Sequence, residues 1–143
     1  MPHWKTPLKK MEVGKGRMVR DGVDMVVITI GHVGNYAVEA CKQAENAGLS
    51  VAHLDLRFVK PLDEDLLHQI FKKHSRVITV EDGSIMGGMG SAVLEFMADH
   101  GYAAKVVRMG VPDRFIEQGT VAELHEICGF DARGIFNIMM SLR

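Results

Sequence analysis

Gly87, Gly88 and Gly90, with Ser91 directly behind them, form the densest chemical pattern in the chain. Glycines permit positive φ and let the backbone approach a ligand closely. A helix opening at Ser91 would turn free N–H groups towards an anion. The match to known phosphate loops is partial. No Lys follows the glycines, so G-x-x-x-x-G-K-[ST] is absent, and G-x-G-x-x-G is half met because the run from Gly88 ends in Val93. Gly87, Gly88, Gly90 and Ser91, with His32 at another strand tip, are therefore a candidate anion or interface loop. The competing reading is a tight turn pressed against another domain or subunit.

Other reactive side chains give less. Glu81 and Asp82 are adjacent. Neighbours in a strand face opposite sides, so they do not form an acid/base pair. Capping, or hydrogen bonding to the glycine loop, suits them better. The histidines are His3, His32, His53, His68, His74, His100 and His125, and no two stand i, i+4 on one helix, so spacing signals no metal site. Ser84 and Ser91 lack the G-x-S-x-G context of a nucleophile. Cys41 falls on a helical apolar stripe, and Cys41 and Cys128 show no C-x-x-C spacing. Arg57 and Lys60 have the charge to hold a phosphate, but pairing with nearby carboxylates is the default. No catalytic, cofactor-binding or metal-ligating residue is assigned.

The elements that would position these residues follow from periodicity. Apolar, β-branched runs at Met25–Ile30, Val51–Leu56, Arg76–Glu81 and Lys105–Met109 predict strands. Between them, Val33, Ala37, Cys41, Ala44 and Gly48 share a helical face, as do Leu62, Leu66, Ile70 and Phe71, and then Met89, Val93, Phe96 and Met97. Asp63 is placed to cap the second helix after Pro61. Two short helices close the chain: one over Val121–Cys128, capped by Thr120 with Glu123 as its capping-box partner and stopped at Gly129, and one over Ile135–Leu142. Alternating strands and helices predict parallel pairing with right-handed crossovers. In such sheets ligands sit beyond the carboxyl ends of strands, here at Gly31–Gly34, Asp82–Ser91 and Gly110–Gly119. Gly16–Arg20 also has strand character, and Asp21-Gly22 is a local hairpin signal towards Met25–Ile30.

A chain of 143 residues is one domain in size, 47% apolar and 24% charged, which excludes wholesale disorder. No apolar run approaches the length of a membrane span, and the first residues lack a secretory h-region. A cytoplasmic protein is expected. Net charge is −1, which argues against nucleic acid as a partner. Residues 1–20 hold six basic groups and one acid (+5), leaving 11 basic and 17 acidic groups in the remainder (−6). Residues 1–15 read as an extended arm or interdomain linker and 16–143 as the folded domain.

RFVKPLD (57–63), VEDGSIMGGMGSAV (80–93), GVPDRFIEQG (110–119) and GFDARGI (129–135) resemble the C-terminal domain of the 1-deoxy-D-xylulose-5-phosphate synthase family; GKGRMVRDG (14–22) fits the lead-in. FVKPLD and GGMGSAV fit the wider transketolase C-terminal domain family. Gln118 and Phe130 depart from the expected His and Leu. The resemblance implies a three-layer α/β/α fold with a five-stranded, mixed but mostly parallel sheet. Its antiparallel edge strand lies beside 51–56, against the local hairpin reading, and the resemblance takes precedence. It implies an enzyme that uses thiamine diphosphate and Mg²⁺ to condense pyruvate with glyceraldehyde 3-phosphate, losing CO₂, for isoprenoid, thiamine and pyridoxal synthesis. The cofactor site of that family lies in other domains, so this piece is expected to be a structural, inactive scaffold that binds no cofactor. Its partners would be other domains of the same polypeptide within a homodimer. Two alternatives stay open: the same domain of a transketolase or a 2-oxo acid dehydrogenase beta chain, and a stand-alone module binding a small anion or a protein.

Overall fold

Met25–Thr29 is buried at every position, and this decides the architecture. A strand with no polar face must be covered on both sides. In a computed structural model describing residues 10–143, that strand (β2) is the centre of a five-stranded sheet in the order β1-β3-β2-β4-β5. The others are β1 (Arg17–Arg20), β3 (Val51–Asp55), β4 (Arg76–Ser84) and β5 (Lys105–Val111). β3, β2, β4 and β5 pair in parallel, and β1 joins β3 antiparallel. The helices are α1 (Gly34–Asn46), α2 (Glu64–Lys73), α3 (Met89–Asp99), α4 (Val121–Cys128) and α5 (Ala132–Ser141).

Period-2 alternation splits the core into two halves. Met25, Val27, Val51, Ile78 and Val80 pack with α1 and α5, together with Phe130. Val26, Ile28, Leu54 and Val77 pack with α2 and α3 through Leu67, Phe71 and Val93. This is the three-layer α/β/α fold with the mixed five-stranded sheet expected above.

Local hairpin chemistry is overruled at Asp21-Gly22. The chain leaves β1, passes the start of β3 and enters β2 on its far side. Val23 and Asp24 N–H both donate to the Ser50 carbonyl (3.0 and 2.9 Å), and Ser50 N–H donates to Asp24 Oδ2 (2.7 Å). A Cβ at Gly22 would overlap the Val51–Ala52 peptide. Gly22 is therefore needed for a close crossing and not for a hairpin turn.

Capping follows the sequence. Asp63 accepts from Leu66 N–H to start α2. It also accepts from Gly16 N–H (2.9 Å) and faces Lys15 Nζ at 3.5 Å, which ties the lead-in segment to α2. Thr120 and Glu123 form the full capping box of α4, and Gly129 ends that helix in the left-handed conformation. Residues 1–9 of the expected arm, with Lys5 and Lys9, lie outside the described residues. β4 and β5 run past their predicted ends, to Ser84 and Val111, because those two residues pair with each other across a bulge.

Candidate functional site

β2 and β4 are neighbours whose following connections leave in opposite directions, so their carboxyl ends form the switch point of the sheet. His32 stands there, in a short 3₁₀ turn over Gly31–Val33 that continues into α1. β4 brings Glu81 and Asp82 to the same end, and strand alternation sends them to opposite faces.

Glu81 is buried and points to α3. Its Oε2 accepts from Met89 N–H (2.7 Å) and its Oε1 from Gly90 N–H (2.9 Å). A side chain at Gly88 would overlap the Glu81 carboxylate, which accounts for that glycine. Gly87 N–H donates to Ser91 Oγ (3.0 Å), and Arg108 Nη1 donates to Ser91 Oγ (2.9 Å) and to the Ile85 carbonyl (2.7 Å). The helix begins at Met89 with Gly88 as its N-cap, two residues before the expected start. The leading N–H groups of α3 thus already hold an internal carboxylate. An external anion at Gly87–Ser91 would have to displace it.

On the other face, Asp82 Oδ2 lies 3.4 Å from His32 Nε2 and 3.4 Å from His125 Nε2. The two imidazoles stack, with centroids 5.5 Å apart and planes 26° apart. His125, from α4, is buried. Its Nδ1 lies 3.2 Å from the Tyr36 hydroxyl, and its ring packs on Phe130. Beside this cluster a cavity of about 280 Å³ is walled by Val111, Ile116, Val121 and Leu124, with Asp82 and His125 supplying its polar edge.

The structure brings His32 close to Asp82 and leaves it apart from the contacts of the glycine loop. His125 was not singled out by sequence reasoning, because the three groups come from a turn, a strand and a helix far apart in the chain. The available signal was that His125 follows Leu124 on the apolar side of a short capped helix. Arg57 faces Asp55 (Nε to Oδ2, 3.7 Å), as the pairing reading holds. Cys41 is in the core, and burial pushes its thiol up to about 11. A second buried histidine, His53, shares a 2.8 Å hydrogen bond with Thr29 Oγ1, and burial lowers its pKa to about 4.

Thiamine diphosphate and Mg²⁺ do not fit these residues. Mg²⁺ takes a near-octahedral shell of oxygens, whereas the three-ligand cluster found among the described residues is two imidazoles and one carboxylate. The glycine-loop N–H groups that could face a diphosphate, those of Met89 and Gly90, already donate to Glu81.

The model of the family described as "Transketolase, C-terminal domain" matches residues 14–135. The chain belongs to the transketolase C-terminal domain family. Among curated relatives of this family member, 1-deoxy-D-xylulose-5-phosphate synthase of Cytophaga hutchinsonii is 56% identical over 142 residues, 99% of the chain and 22% of the relative. The synthase of Bacteroides fragilis is 54% identical over 137 residues, 95% of the chain and 21% of the relative. The chain therefore spans about a fifth of the length of these relatives. A solved split-gene transketolase, described as an inactive beta4 tetramer, superposes with a TM-score of 0.88 at 31% identity, covering 99% of this chain and 46% of its own. Transketolase from Campylobacter jejuni gives 0.66 at 17% identity over 90% of this chain and 18% of its own, a likeness of fold.

Proposed function

We propose that this transketolase C-terminal domain is the C-terminal part of a 1-deoxy-D-xylulose-5-phosphate synthase and serves there as an inert scaffold. The carrying observation is the 56% identity to a protein of that name over 99% of the chain, confined to 22% of the relative. The whole enzyme condenses pyruvate with glyceraldehyde 3-phosphate and loses CO₂, using thiamine diphosphate and Mg²⁺ held by its other domains. The product feeds isoprenoid, thiamine and pyridoxal synthesis.

Two features support a scaffold role. The buried carboxylate that would most readily serve as an acid or base, Glu81, is committed to the backbone of α3. At the carboxyl ends of the strands, Met86, Phe115 and Val121 are exposed apolar side chains, with Phe115 uncovered entirely. Such groups suit a surface that another domain covers. The partners are accordingly the remaining domains of the polypeptide and a second subunit in a homodimer. Among the described residues no helix is long and apolar enough to cross a membrane, in keeping with a cytoplasmic enzyme.

Calorimetric titration of the purified chain with thiamine diphosphate in excess Mg²⁺, paired with an assay for the sugar phosphate product, tests the scaffold reading. Neither saturable heat nor product is expected. Cofactor-dependent turnover of pyruvate by the chain alone overturns it.

A further inference from the structure

His32, Asp82 and His125 are contributed by three separate elements, yet their ligand atoms all lie within 4.8 Å of one another. We propose that they form a binding site for a borderline divalent metal ion of the Zn²⁺ type, distinct from any Mg²⁺ used in the family's chemistry.

Distances carry the argument first. Asp82 Oδ2 is 3.4 Å from each Nε2. Hydrogen bonds between nitrogen and oxygen cluster at about 2.7–3.2 Å. Ligands at about 2.0–2.1 Å from a tetrahedral Zn²⁺ stand about 3.3–3.4 Å from each other. Both spacings fit ligand atoms around one ion, and all three ligand atoms lie within 4.8 Å of one another.

Orientation comes next. His125 Nδ1 is engaged with the Tyr36 hydroxyl at 3.2 Å, which leaves Nε2 as the atom facing Asp82. A ligating histidine whose other ring nitrogen is held by an outer partner is the usual arrangement at metal sites. The near-parallel stacking of His32 on His125 brings the second Nε2 to the same carboxylate oxygen.

Access completes it. The His125 side chain is 5% exposed, Asp82 38% and His32 57%. One ligand is buried while the other two open to solvent, so an ion can enter. A fourth position remains for water or a small anion. Two imidazoles and one carboxylate favour Zn²⁺ and its first-row neighbours over Mg²⁺, which prefers oxygen. A bound ion would pin α4 to β4 and to the turn after β2.

The test is calorimetric titration of the full 143-residue chain with Zn²⁺ after chelator treatment, with Co²⁺ uptake followed by its visible absorption. One saturable equivalent is expected, with Co²⁺ bands of low coordination number and no displacement by Mg²⁺. His32→Ala, at an exposed position that leaves the core intact, and Asp82→Asn should each weaken Zn²⁺ binding by about tenfold or more. Tyr36→Phe should weaken it by about tenfold through the outer shell. A circular dichroism melt of each variant confirms that it is folded. Absence of saturable Zn²⁺ uptake, or uptake unchanged in both His32→Ala and Asp82→Asn, overturns the proposal.

Discussion

Glu81 and Asp82 are joined by one peptide bond and serve opposite faces of the sheet. Glu81 closes the N-terminus of α3 from one side, and Asp82 faces the Nε2 atoms of two stacked imidazoles on the other. The alternation of β4 thus separates a structural carboxylate from a candidate ligand.

Glu81→Ala should be among the more damaging single changes. Two buried N–H groups lose a charged acceptor, and hydrogen bonds to charged groups contribute about 1.5–3 kcal/mol each. A loss of about 3 kcal/mol is expected in urea denaturation. Glu81→Gln, which keeps one carbonyl acceptor, should lose less.

Gly22→Ala and Gly48→Ala separate crowding from conformation. At Gly48 φ is +80° and nothing lies within 4 Å of a built Cβ, so the left-handed backbone is the whole cost, about 1 kcal/mol. At Gly22 the added methyl meets the β3 backbone. Destabilisation there should exceed that of Gly48→Ala, read as a larger fall in the urea midpoint.

His53 makes stability depend on pH. Burial holds its folded pKa near 4 against an ordinary 6.5. Between these values the unfolded chain binds more protons, so stability rises with pH from about 4 to 6.5 and levels off above. The span of that single group is about 3 kcal/mol. His74, also lowered by burial, adds a smaller slope of the same sign. His53→Gln should flatten the profile over that window; an unchanged slope would contradict the assignment.

Cys41 should resist thiol reagents in the native chain. It is fully buried, and its thiol is pushed up to about 11. Cys128 is only half-buried. One thiol is expected to react near neutral pH before unfolding and two after it, as counted by mass.

Much of this was legible in the residues. Asp63, Thr120, Glu123 and Gly129 announce helix ends because capping is a local hydrogen-bond problem solved within four residues. The opposite facing of Glu81 and Asp82 follows from strand period alone. Gly22 misleads for the same reason that caps inform. Its local signal is a turn, whereas its real constraint is the peptide of Val51, met only after the sheet has assembled. The extension of β4 to Ser84 likewise depends on Val111, a partner distant in sequence. His125 joins His32 and Asp82 through tertiary packing that no spacing rule encodes.

Domain replacement tests the central claim most directly. The C-terminal domain of the Cytophaga hutchinsonii synthase is exchanged for this chain, and formation of 1-deoxy-D-xylulose 5-phosphate from pyruvate and glyceraldehyde 3-phosphate is measured beside the parent enzyme. A folded chimera that makes the product is the predicted result. A chimera folded as well as the parent, and in the parent's oligomeric state, that makes none where the parent does would contradict the account.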